Sequence, residues 1–174
     1  SICQGACASR PGMAWTNILQ RRMGRNVLNL GFSGNAYFEK GIVDLIAGID
    51  AKVYILDGMP NSYSLDAESL RDTVSKAVRQ LRAKRPETPI LLVDHLGFPH
   101  GKANPNMAKA EKHVHSVLKE TYGLLADEGI EGLHYLTYDE LAIPQDGFVE
   151  GIHASDYGMQ AYADAYEKKL REIL

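Results

Sequence analysis

An excess of either charge is missing from this chain: 19 Lys and Arg stand against 22 Asp and Glu, a formal net charge of −3 over 174 residues. No overall field therefore favours nucleic acid or anionic lipid, and neither is expected as a partner. Long apolar runs are missing too, none approaching the ~18 residues of a spanning helix, so no transmembrane segment is expected. Cysteine is scarce. Cys3 and Cys7 lie so close together that a bridge would close a tiny loop and stabilise little, and they say almost nothing about redox compartment. The six histidines include no His-x-x-x-His pair and no carboxylates at ligand spacing, which argues against a metal. The Gly31 to Asn35 loop lacks a Walker lysine and the dinucleotide glycine pattern, so no cofactor is expected. Repeats, linkers and low-complexity tracts are absent, and 45% apolar residues exclude a disordered chain. The first residue is Ser, with no Met, no signal-like segment and no strand ahead of it. The chain reads as trimmed, which leaves the compartment open.

What is present alternates between two periods. Short β-like runs at Asn26 to Phe32, Ala51 to Asp57, Pro89 to Asp94 and Gly132 to Leu136 are rich in Val, Ile, Leu or Tyr, each with polar or Gly/Pro residues behind it. Between them lie helical stretches at Pro11 to Met23, Tyr37 to Ala47, Asp66 to about Lys84, Met107 to Glu128 and Ser155 to Leu174. Asp66 is placed to cap the third, and Ser155 or Asp156 the last. Leu70, Val74, Ala77, Val78 and Leu81 make a buried stripe, as do Tyr162, Ala165, Tyr166 and Leu170. This alternation predicts a single α/β domain over residues 1–174, a flavodoxin-like three-layer sandwich with a parallel sheet whose first strand lies upstream of Ser1.

In open parallel sheets the ligand site lies beyond the carboxyl ends of the strands. Those positions hold a serine, a histidine with a carboxylate three residues earlier, and glycine and asparagine donors, which are the parts acyl transfer needs. A serine after a strand, followed by Gly5 and a helix, would lie at a helix N-terminus that favours developing negative charge.

Four blocks resemble the SGNH or GDSL hydrolases, serine esterases and acylhydrolases on a flavodoxin-like fold. Ser1-Ile2-Cys3-Gln4-Gly5 is similar to the family's first block from its serine onward, and Asn29-Leu30-Gly31-Phe32-Ser33-Gly34-Asn35 to the second. Asp57-Gly58-Met59-Pro60-Asn61 resembles the third with one extra residue, and Glu150-Gly151-Ile152-His153 resembles the Asp-x-x-His block. The resemblance implies Ser1 as nucleophile, His153 as general base, and Gly34 and Asn61 as oxyanion donors. Glu150 stands where the family has Asp, which leaves Glu150, Asp146 or a main-chain carbonyl open as the group that orients His153. Ala8 to Trp15 is similar to a bacterial branch that often carries an upstream β-rich domain. That branch implies such a domain here and weakly favours a periplasmic or secreted location.

The implied activity is hydrolysis of a small-molecule ester carrying a short acyl group, with an acetylated carbohydrate favoured because the site loops carry Asn, His, Lys and Gly and no long apolar lid segment appears. Two other readings stand beside it. One is a non-catalytic module binding a sugar or small ligand on the same frame. The other is an N-terminal nucleophile enzyme, which the strand and helix alternation argues against. His95 and His100 read as solvated loop residues or as a pocket rim, and His113 and His115 as surface. Trp15, Tyr54, Tyr157, Tyr162 and Tyr166 read as core or half-buried packing. Lys102, Lys109 and Lys112 read first as a solvated face and second as selectors for an anionic substrate.

Overall fold

The computed structural model describes residues 1–174, the side chain of Lys102 excepted, so the second role considered for Lys102 lies outside the described residues. Its elements follow in the order α1 (Trp15–Met23), α2 (Lys40–Ala47), β1 (Tyr54–Leu56), α3 (Met59–Ser62), α4 (Ala67–Lys84), β2 (Ile90–Val93), α5 (Pro105–Asp127), β3 (Leu133–Leu136), α6 (Tyr138–Leu141) and α7 (Asp156–Ile173). They divide into two compact units. One is Ala36–His95 with Ala110–Leu136, and the other is Ser1–Asn35 with Leu96–Lys109 and Thr137–Leu174.

The first of these holds the sheet. β1, β2 and β3 pair in that order and in parallel, with Tyr54 opposite Ile90 and Ile90 opposite Leu133. Every residue of β2 is buried, as the central strand of a sheet covered on both faces should be. Ile90 and Leu92 point into a cluster with Leu56, Leu70, Val74, Leu81, Val114 and Leu118. Each such side chain contributes about 1.5–3 kcal/mol by leaving water. The predicted stripe of α4 is therefore the core, and Asp66 caps that helix by accepting from the Ser69 N–H at 2.8 Å.

In the second unit α1 packs on α7 through aromatic rings. Trp15 stacks on Tyr166 with centroids 4.2 Å apart and meets Tyr162 edge-on at 5.2 Å. Cys3 O accepts from the Trp15 ring nitrogen at 3.0 Å, which ties the start of the chain to this core. Ser9 N–H and Oγ–H both donate to the Asp156 carboxylate, at 2.8 and 2.5 Å, and these bonds hold that carboxyl below its ordinary range.

Several expectations change. Asn26 to Phe32 joins no ladder among the described residues, because a strand exists only through a hydrogen-bonded neighbour. Asn29 fastens it instead, donating to Cys3 O at 3.0 Å and to Thr16 Oγ1 at 3.1 Å. The stretch from Pro11 opens as a short 3-10 turn, with regular helix starting at Trp15. Tyr37 to Glu39 also precede their helix. Tyr157 is exposed, whereas the other four aromatic residues pack as expected.

Candidate active site

Ser1 lies on a loop of successive turns, in which the Gly5 and Ala6 N–H groups both donate to Ser1 O at 3.1 and 3.0 Å. The expected helix start is thus one turn, with α1 beginning only at Trp15. Gly5 has φ +90°, and a Cβ there would meet that of Ala14 at 2.6 Å, so glycine answers both a backbone and a packing demand.

His153 is delivered by a small closed loop. Phe148 and Ala154 form an isolated antiparallel bridge, and Val149 N–H donates to His153 O at 2.9 Å. Ser155 anchors the loop to α7: its Oγ–H donates to Gly147 O at 3.0 Å while the same oxygen accepts from Gly158 N–H at 3.4 Å. Gly151, at φ +80°, makes the turn between Glu150 and His153. The His100 ring lies where a Gly151 Cβ would go, so His100 lines this loop rather than being merely solvated.

The loop closes a hydrogen-bonded relay. Ser1 Oγ–H donates to His153 Nε2 at 2.7 Å, given the tautomer protonated on Nδ1. Nδ1–H donates to Glu150 Oε1, which also accepts from the His153 main-chain N–H at 3.1 Å. The double acceptance fixes both the ring and its tautomer. Asp146, exposed in a neighbouring turn, makes no hydrogen bond to His153 among the described residues. Of the three candidates left open by the sequence, Glu150 is the group in contact. The His153 side chain is 23% exposed and that of Glu150 48%, so the relay is open to a substrate from solvent.

The remaining predicted residues are not bonded to this relay among the described residues. Gly34, exposed at φ +67° with open space around it, lies in a turn closed by Asn35 N–H on Phe32 O. Asn61 belongs to the sheet-bearing unit, on α3 just after β1. Its Nδ2 is buried with no acceptor among the described residues, an unusual state for an amide. Sequence spacing gave no sign of Cys7, exposed at φ +70° beside Glu150 and His153. Only tertiary structure brings these three together.

The other histidines serve different ends. His95 is fully buried after β2, where desolvation, helped by the charge of His115, pushes its pKa down to about 3. His113 and His115 are half-buried rather than on the surface, their Nε2 atoms 2.8 Å from Leu65 O and 3.0 Å from His95 O. Tyr135 O–H donates to Asp94 beside them at 2.8 Å.

The parallel sheet in an α/β frame, and the serine, histidine and carboxylate in sequence of contact, agree with the SGNH hydrolase fold, which comparison with known proteins shows. The chain belongs to the GDSL-like lipase/acylhydrolase family, whose model matches residues 1–171. A Bacteroides ovatus protein assigned to the GDSL-like lipases is 34% identical, with a TM-score of 0.92 over 99% of this chain and 51% of its own. A salicylyl-acyltransferase from a tetracycline biosynthetic pathway matches at 19% identity and a TM-score of 0.78, over 99% of this chain and 52% of its own. A carbohydrate esterase of family 3 from Talaromyces cellulolyticus matches at 11% and 0.69, over 98% and 93%. The last two show likeness of fold alone. The chain spans about half the length of the first two structures. Among curated proteins none matches it.

Proposed function

We propose that this chain is a serine esterase that cleaves a short-chain acyl ester through an acyl-enzyme on Ser1. The observation that carries the proposal is the continuous relay, 2.7 Å from Ser1 Oγ to His153 Nε2 and onward from Nδ1 to Glu150. His153 takes the Ser1 proton as Oγ attacks the carbonyl carbon, and returns it to the departing alcohol oxygen. Water then attacks the acyl-serine by the reverse proton path, releasing the acid. Glu150 stabilises the imidazolium formed in each half. Gly34 N–H and the Asn61 amide are assigned to the oxyanion on the family resemblance of their blocks.

The favoured substrate is a carbohydrate bearing an acetyl or other short acyl group. The loops that follow the second motif and β2 carry Asn35 and His100, which can bond to hydroxyls. A carbohydrate esterase among the fold neighbours agrees with this choice as an analogy of fold.

In the full-length protein, p-nitrophenyl acetate and butyrate should be hydrolysed, and Ser1→Ala and His153→Ala should each lower kcat by about 10⁴-fold or more. A fluorophosphonate should label the parent and leave Ser1→Ala unlabelled. Undiminished turnover in Ser1→Ala would sink the proposal, whereas a parent that neither turns over nor labels would leave a ligand-binding module. Better turnover of long-chain esters than of acetylated sugars would overturn the substrate class.

A further inference from the structure

The Cys7 thiol, a Glu150 carboxylate oxygen and a His153 ring nitrogen all lie within 4.8 Å of one another. These are the donor types that zinc and its softer relatives select, a thiolate, an imidazole and a carboxylate. Tetrahedral zinc holds such donors about 3.3–3.8 Å apart, given bonds of about 2.0–2.3 Å, so closing the set asks for a contraction of about 1 Å. Cys7 and Glu150 are exposed side chains that can supply it. Three protein donors leave a fourth position to water, and the solvent-facing Cys7 provides an entry path.

We propose that Cys7, Glu150 and His153 form an inhibitory site for zinc or a similarly thiophilic divalent cation. Binding needs the thiolate, so the Cys7 proton passes to solvent as the sulfur-metal bond forms. The metal must also take a nitrogen that already has an occupation. If it takes Nδ1 it displaces the bond to Glu150, and if it takes Nε2 it displaces the bond from Ser1. Either choice breaks the relay, and Glu150 is drawn away as a ligand as well. The cation is therefore an inhibitor of the hydrolysis proposed above, and that consequence, unlike the binding, rests on the esterase assignment. Cys7 takes no part in the relay, which makes it the residue through which sensitivity to metal can be removed without touching the chemistry. Its φ of +70° is a conformation that side chains other than glycine rarely adopt, and Cys7→Gly fits it without strain.

Two measurements on the full-length protein test this. Zinc binding is followed by competition with a chromogenic chelator, and cobalt binding by the sulfur-to-cobalt charge-transfer absorption of a thiolate complex. One equivalent should bind, Ser1→Ala should keep the site, and Cys7→Ser or Cys7→Gly should lose the thiolate band and weaken zinc at least about tenfold. Cys3→Ser should behave as the parent. Hydrolysis of p-nitrophenyl acetate should be inhibited by zinc, recover on adding a chelator, and become resistant in Cys7→Ser at unchanged basal rate. Zinc affinity and inhibition unaltered by both Cys7 variants, or cobalt bound without the thiolate band, would overturn the proposal. Zinc bound through Cys7 by a protein that hydrolyses no ester would overturn the esterase assignment and leave the metal site standing.

Discussion

Glu150 reaches His153 by folding its carboxylate back over its own loop, so that one oxygen accepts from both the ring and the main chain of the same residue. Gly151, at φ +80°, makes the turn that lets the carboxylate fold back. On the proposed mechanism the charge of Glu150, more than its shape, is what the imidazolium needs. Glu150→Gln should therefore lower kcat for p-nitrophenyl acetate by about 10³–10⁴-fold, since an amide neither offsets the imidazolium charge nor fixes the tautomer. Glu150→Asp keeps the charge but withdraws it, and a misplacement on the order of 1 Å is worth about 10²-fold. Equal losses in the two variants would show that orientation alone matters. The residues of this relay were legible in the sequence because the blocks around Ser1 and His153 are short and contiguous. Cys7 was not, because its neighbours lie far away along the chain and spacing carries no trace of a tertiary contact.

Where a helix start carries a capping side chain, sequence and structure agree closely, since a cap is satisfied within a few residues. Asp66 and Ser155 both cap as their positions suggest. The Thr137 and Glu140 capping box opens α6, which at four residues is too short to show a helical period and is not read from the sequence. Strands fare differently because each needs a neighbour. The apolar run of residues 26–32 pairs with no described strand, and its Leu28, Leu30 and Phe32 are exposed. Ser155 links the element scale to the site, since one hydroxyl caps α7 and holds the loop that carries His153. Ser155→Ala should cost about 1 kcal/mol and lower Tm by about 2–4 °C. It should also depress kcat, and Ser155→Thr should restore both. A lowered Tm with kcat intact would separate the cap from the positioning of the base.

For the molecule as a whole, the buried His95 sets a pH dependence. Its folded pKa of about 3 lies below the ordinary 6.5, so the fold accepts the ring only as neutral. Above pH 6.5 both folded and unfolded chains hold it neutral. As pH falls the unfolded chain takes up a proton that the folded chain refuses, and stability declines toward pH 3 at up to about 1.4 kcal/mol per pH unit. Urea unfolding between pH 4.5 and 6.5 should show this slope in the parent and a flatter one in His95→Leu. The same slope in both would place the proton elsewhere. The sequence placed His95 after a strand but could not tell a rim from an interior, because burial is decided by what the rest of the chain lays over it.

The hydrogen bond between Ser1 and His153 joins residues 152 positions apart, which gives the site a date as well as a place. A ribosome adding about 5–20 residues per second makes Ser1, the proposed nucleophile, about 8–30 s before His153, its proposed base. Through that interval the nascent chain carries an ordinary serine. On the proposed mechanism, reactivity waits for the segment that carries His153.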